Sequence, residues 1–396
     1  MAQALETNVF SGKEFKVYIA QDATNGVHNG VGGNYYRLDV EGATMPTFSP
    51  NQEFELRSGS GKIAEFGQIF SSSKRVVNEF SLSGRCNLQD LPFFMQNATG
   101  VAAGTGTTQN LITIGNGFSG STVEQGATAG WNNSVSIAFV APTAVADSYI
   151  IPGCVCTSLT LSADMGTASG RFNYDATFSS SFAPLKGDTD AAITEIAAGA
   201  TELTTTLGST YIFLSDLVYR SMHIESGSFT NVTEILPLIN NLSLTIENPA
   251  VALGAQGTNA EPELIARAVP EFTVTLAAGV KYDAETEMLL EAFRDPGNDS
   301  NIQFYAMQGD PAGTNPSTFP DDLDFKTANE SDGTGGDANT LGMILPMMKL
   351  TSAEVSSDDV AMVNFEAKLL DDGSTGSNVE NTYCAKFSVG DTDDDS

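Results

Sequence analysis

Chemistry in this chain has to come from carboxylates: 49 aspartates and glutamates stand against two histidines and four cysteines in 396 residues. Paired carboxylates hydrolyse glycosides, one as acid and the other as base or nucleophile. Sequence spacing does not reveal such a pair, so a carbohydrate-active enzyme stays open on composition alone. A serine nucleophile would depend on His28 or His223 as its base, and each reads better as a structural or surface residue. Zincin and nucleophile-elbow motifs are absent. The segment Gly59-Ser60-Gly61-Lys62 lacks the upstream glycine of a phosphate loop and continues with Ile63 where a hydroxyl should hold magnesium. Cys154 and Cys156 share one strand face, but two distant histidines do not complete a zinc site. With Cys86 and Cys384 they are expected as buried free thiols. The runs Asp321-Asp322-Leu323-Asp324 and Asp332-Gly333-Thr334-Gly335-Gly336-Asp337 offer oxygen ligands of the calcium type. Neither fits an EF-hand, and solvated loops are the expectation. No catalytic residue, metal or cofactor is therefore assigned.

Charge narrows the partners. Eighteen lysines and arginines leave a formal net charge of −31, which repels nucleic-acid phosphates and anionic lipid. A groove-reading DNA binder is excluded on that ground. Solubility alone explains such a surface, and so does a wall that a polyanion must pass without sticking. No run approaches the roughly 18 apolar residues of a membrane-spanning helix. The opening residues lack the basic and apolar regions of a secretory signal, so synthesis in a cytoplasm and no membrane insertion are expected.

The elements that organise the chain change hydrophobic period partway. In residues 271–297, Phe272, Val274 and Leu276 alternate as in a half-buried strand. Asp283 then offers an N-cap, Ala284, Met288, Leu289, Ala292 and Phe293 form a helical stripe, and Asp295-Pro296-Gly297 ends it. Residues 79–100 repeat that plan with Phe80 and Leu82, a cap candidate at Asn87, a stripe of Leu88, Leu91, Phe94 and Met95, and a glycine stop. The shared Glu-Phe openings lie 192 residues apart, and Ile150-Ile151-Pro152 answers Ile344-Leu345-Pro346 at 194. With 38 glycines and 17% charged residues, the composition reads as β-rich. The expected fold is mainly β, two tandem β-sandwich or barrel domains with one short flanking helix each. An N-terminal arm and first strands take residues 1–50, the first domain 51–211 with a long loop at 100–130, and the second domain 212–396 with a long loop at 309–340 and an acidic tail.

The strand and short-helix units, the segment GCVCTSLTLSADMGTASGRFNYDATF at residues 153–178 and the internal repeat together resemble the tail tube proteins of long-tailed bacteriophages. The likeness is to members with two tube domains in tandem. It covers roughly residues 54–388 and rests on layout, with no signature residue. The resemblance implies a structural virion protein that is no enzyme, assembled in the host cytoplasm and found in the virion tail. Homotrimeric rings of pseudo-sixfold symmetry would stack into a negatively lined conduit for genome ejection. Implied partners are further copies of itself, a tail terminator, a tape measure and baseplate or tail-tip proteins, with DNA passing unbound. Phe118, Trp131, Phe319 and Phe325, in or beside the long loops, are the candidate ring-stacking contacts; each could equally pin its loop to its own domain. Two alternatives remain at this point: another viral shell or decoration protein, and a calcium-stabilised cell-surface adhesive β protein.

Overall fold

The computed structural model describes residues 15–22, 26, 28, 35–43, 50–54, 69–75, 78–87, 90–100, 104–105, 110–115, 134–141, 148–167, 170–180, 182, 184–186, 211–225, 232–235, 238–253, 264–267, 272–284, 286–294, 301–308, 311–312, 324–325, 341–356, 361–370 and 383–389. The chain is mainly β. Its first half carries β1 (Lys16–Gln21), β2 (Tyr36–Arg37), β3 (Val40–Ala43), β4 (Pro50–Phe54), β5 (Ile69–Arg75), β6 (Asn78–Arg85), helix α1 (Leu91–Thr99), β7 (Gly104–Thr105), β8 (Asn110–Gly115), β9 (Val135–Val140), β10 (Tyr149–Asp164), β11 (Asn173–Ser180) and β12 (Leu185–Lys186). A 3-10 turn at Leu214–Asp216 leads to β13 (Tyr219–Glu225), β14 (Val232–Ile235), β15 (Ile239–Glu247), β16 (Ala250–Leu253), β17 (Leu264–Arg267), β18 (Thr273–Lys281), helix α2 (Glu287–Arg294), β19 (Asn301–Met307), β20 (Pro311–Ala312), β21 (Asp324–Phe325), β22 (Leu341–Ser356), β23 (Met362–Leu369) and β24 (Tyr383–Val389).

Two sixteen-residue strands, β10 and β22, each serve two sheets. The first part of β10 pairs with β9 and β12, its second part with β11 and β15. In the same way β22 begins between β19 and β24 and ends beside β23. Proline has no N–H for a ladder, so a strand that continues through one needs a bulge. Pro152-Gly153 bulge opposite Ser136, and Pro346-Met347 opposite Gln303. At the first bend Gly153 takes φ +66°, and a Cβ there would lie 2.1 Å from the Phe182 ring. Buried Asp22 fixes this corner by accepting from the Gly153 N–H at 3.0 Å, from Ser134 Oγ at 2.6 Å and from Ser136 Oγ. Burial pushes its pKa up.

The pairings of the first half recur in order in the second. β1–β2, β1–β9, β9–β10, β10–β12, β10–β11, β11–β6 and β6–β3 correspond to β13–β14, β13–β19, β19–β22, β22–β24, β22–β23, β23–β18 and β18–β15. Register irregularities recur as well. Thr157 is the extra residue of β10 against β11, and Thr351 that of β22 against β23. Their hydroxyls donate to the facing carbonyls of Thr177 at 3.3 Å and Glu366 at 3.0 Å. Glu41 in β3 and Asn240 in β15 are likewise skipped by their partner strands.

The halves join edge to edge. Residues 158–164 of β10 pair in unbroken register with residues 241–247 of β15, giving the strand order β3-β6-β11-β10-β15-β18-β23-β22. A second link comes from β8, which pairs with β24. Eighteen strands connected by seventeen pairings contain no closed circuit, so among the described residues this sheet is open and branched. β4–β5, β16–β17 and β20–β21 are separate two-stranded ribbons. One hydrophobic cluster spans both halves, from Phe80, Leu82 and Leu161 to Leu244, Leu276 and Phe365.

Helix α1 starts after Asp90 and not at Asn87, whose carbonyl instead accepts from the N–H groups of Asp90 and Leu91. Pro92 in the first turn suits a position that needs no intrahelical N–H, and Gly100 ends the helix at φ +74°. Leu91, Phe94 and Met95 are buried, with the Phe94 ring 4.6 Å from that of Tyr174. Helix α2 carries the expected cap, because Asp283 Oδ1 accepts from the Thr286 N–H at 3.0 Å. Among the described residues no helix is long and apolar enough to cross a membrane.

Asn248, just past β15, closes the end of α1 from the other half. Its Nδ2 donates to the carbonyls of Ala98 at 2.9 Å and Thr99 at 3.3 Å, groups that a helix terminus leaves unpaired. Asn248→Ala is expected to cost about 1–3 kcal/mol, read as a lower urea midpoint at unchanged slope. A change within 0.3 kcal/mol would sever this link between the halves.

Candidate assembly surface

One face of the joined sheet is the apolar core and the other is a carpet of short hydroxyls. On β10, Ser158, Thr160 and Ser162 point away from the core, and their partners are Glu247, Thr245 and Ser243 of β15. Thr160 and Thr245 hydroxyls meet at 3.1 Å across the joint. The same face continues through Ser81 and Ser83 on β6 and Thr273 and Thr275 on β18. Its charges include Glu79, Asp164, Asp175, Glu247, Glu354 and Glu366. Its cations include Arg85, bound by Glu41 at 2.6 Å, and the exposed Lys281 and Lys368 towards β23. Short hydroxyls with surplus carboxylate give a smooth surface that carries no array of cations for a polyanion to grip.

Two edges bound this sheet. The far edge of β3 and that of residues 351–356 in β22 meet no partner strand among the described residues. The matched register makes the second case quantitative. Leu161 of β10, beside β15, is 3% exposed, whereas Val355, its counterpart in β22, is 47% exposed. One position of one fold is buried where a strand joins and bare where none does. An open, partly apolar edge of this kind is a template for another strand.

The root of β3 holds the least conventional electrostatics in the molecule. Asp90 is buried and accepts from the backbone of Asp39, and its Oδ2 meets no donor among the described residues. Burial, reinforced by the negative charge of Asp39, raises its pKa to about 7. Asp39 in turn accepts from the Tyr211 hydroxyl at 2.6 Å, and its carbonyl from the Tyr174 hydroxyl at 3.3 Å. This network fastens β3 to the chain that follows the first half.

Of the ring-stacking candidates, Phe118, Trp131 and Phe319 lie outside the described residues. Phe325 sits in β21, opposite Pro311. The acidic runs also lie outside them, except for Asp324 in the same short strand. All four cysteines are buried and form no disulfide, and among the described residues no cluster of three His, Cys, Asp or Glu is placed to hold a metal. Sequence reasoning missed the two open edges. The only signal for them was Val355 standing where β10 has Leu161, which emerges once the repeat is aligned by register. No protein-family model matches the chain, and no curated protein matches it.

Asp90 makes stability fall with rising pH. Unfolded, its carboxyl ionises near 3.9; folded, it keeps its proton to about 7. Stabilisation is therefore full below about 4 and is lost between about 4 and 7, by up to about 4 kcal/mol. Asp90→Asn should remove that slope and be more stable than the parent at pH 8 in urea titrations. Parallel pH profiles for the two proteins would show that this carboxyl does not titrate with folding.

Proposed function

We propose that the chain is a structural subunit of a hollow assembly, of the kind that forms the tail tube of long-tailed bacteriophages. It acts by associating with itself. Two tandem copies of one β-sandwich unit are the simplest account of the recurring pairings and bulges, with the division near residue 212. The observation that carries the reading is the β10–β15 joint: a strand of one unit completes its sheet with the edge strand of the next. Residues 351–356 of β22 and the outer edge of β3 are the unmatched ends of the same arrangement. Repeating the joint between copies generates a head-to-tail contact that closes by rotation. Three chains would supply six units, with the hydroxyl and carboxylate face turned to the lumen. Phosphates repelled from all sides slide through such a lumen without a binding step.

The remaining partners follow from this reading: proteins that terminate the tube, set its length and attach it at the tip. An adhesive calcium protein would lose stability in chelator and run as a monomer or a fibre, whereas a tube would persist as rings or hollow rods. Electron microscopy and sedimentation of the purified chain should give rings or hollow rods that persist in EDTA. A strictly monomeric protein over the whole concentration range would contradict the proposal.

Val355→Lys gives the sharper test. The exposed side chain makes the monomer tolerant, with a stability change within about 0.5 kcal/mol. At the joint, a lysine where β10 has buried Leu161 should abolish rings and rods. Normal rods from this variant would show that β22 is not the joining edge.

A further inference from the structure

The end of the sheet where β3, β6 and β11 meet is closed in the first half by the chain that enters β13. Tyr211 bridges to Asn87 and Phe213 to Arg171, and the Phe172 N–H donates to the Ile212 carbonyl at 2.9 Å. Ile212, Leu214 and Leu217 are buried there, and Cys86 is 2% exposed. The matching rim of the second half is built alike. Tyr282 N–H donates to the Ala361 carbonyl at 3.1 Å, as Cys86 N–H does to Phe172 at 3.0 Å. Yet this rim is bare: Leu238 is 61% and Tyr282 37% exposed, and Ala361 is exposed beside them. Met165 prolongs the strip, its N–H bonded to the carbonyl of Asn240.

Register identifies the matching cover. Ile19 of β1 faces Ile137, Met222 of β13 faces Phe304, and Ile137 and Phe304 hold equivalent places opposite Ile151 and Leu345. Carried back by the same shift, Tyr211-Ile212-Phe213 falls on Asn8-Val9-Phe10. The two segments share an apolar pair of the same character, β-branched and then phenylalanine.

We propose that residues 8–14 of a neighbouring copy close the bare rim of the second half, so that each copy clasps the next with its N-terminal segment. This rests on the ring reading above. The cover of the first half reaches its rim from a strand lying across the β10–β15 joint. The segment that enters β1 therefore reaches the unit across the equivalent joint, which belongs to another copy. Burying Val9 and Phe10 against Leu238 and Tyr282 then removes the apolar strip from water at the moment the ring forms.

Paired cysteines test the clasp. Val9→Cys and Ala361→Cys would face each other as Ile212 faces Phe172, and facing residues of an antiparallel pair have Cα atoms about 4.5–5.5 Å apart, within reach of a disulfide. The four native cysteines are buried. The full-length double variant is assembled, checked for rings by electron microscopy, oxidised mildly and run on a non-reducing gel. The expected result is a reducible ladder of covalent dimers and trimers that neither single variant gives. Rings that yield only monomer bands, or a compact monomer cross-linked to itself, overturn the clasp and leave the ring reading standing. A wild-type chain that forms no rings overturns both. Hydrogen exchange covers the case where the cysteines hinder assembly. The amide at 361 should be protected in assembled wild type and exchange at least tenfold faster in V9D/F10D, and equal exchange rejects the clasp.

Discussion

A strand edge is a row of backbone N–H and C=O groups that must be paired, wetted or covered, and the architecture of this chain follows from how its edges are treated. The second part of β10 is a fully paired inner strand because β15 takes its free side. β24 is paired on both sides because β8 crosses from the first half to reach it. Where β22 repeats the geometry of β10 without a neighbour, its outward side chains stay in water and Val355 is left bare. The contrast lies in the neighbour, since both strands carry the same bulge and the same threonine hydrogen bond.

Keeping β10 and β22 continuous through a proline requires support from groups that do not favour burial. A carboxylate in a dry corner is disfavoured in its charged form, and Asp22 shows this in its raised pKa. Four donors converge on it, from Ser134, Ser136, Gly26 and Gly153. What the corner gains is geometric: β1, β9 and the bend of β10 are held together by one side chain, and the Phe182 ring seats on the two glycines. Asp90 makes a similar compromise at the root of β3, with fewer donors.

Much of this was legible in the sequence, and the parts that were not have physical causes. Alternation read Phe80 and Leu82, and Val274 and Leu276, as half-buried strand residues, and they fall in β6 and β18. The change of period located both helices, and the αL glycine ended α1 as read. Alignment of the repeat was harder. The matched Glu-Phe pairs suggested that Phe80 corresponds to Phe272, while register places Phe80 opposite Phe178 and Leu276 opposite Ala367, in equivalent positions. A slip of four residues leaves every side chain on its original face, so a period of two cannot detect it. The pair of prolines, Pro152 and Pro346, did align, because a bulge is a unique point along a strand. The sequence reading gave each half one long loop, 100–130 and 309–340. The structure puts the first after α1 and the second between β19 and β22, so they occupy different places in the repeated plan. The bare edges had no periodic signal at all, since exposure there is decided by a neighbour that the pattern of a single strand does not encode.

On the proposed reading, joining two units in one chain divides the contacts around a ring into two kinds. The β10–β15 joint forms as the chain folds, with its partners tethered, so its entropic cost is that of closing a loop and not of bringing separate molecules together. It can therefore carry specific polar devices that need accurate placement: the Thr160–Thr245 hydroxyl pair and the reach of Asn248 to the last carbonyls of α1. The equivalent joint between copies has to overcome the loss of free motion of whole molecules. It replaces Thr160 with Glu354 and Leu161 with Val355, a more soluble edge that is weaker as a template for stray strands. A charged residue facing solvent on an open edge is how β proteins restrain aggregation. The same substitutions make the contact between copies depend on additional buried surface, because strand pairing with a glutamate on one side of the ladder adds little on its own. A ring built this way is stable only when several modest contacts form together, which suits a subunit that must remain soluble until assembly begins.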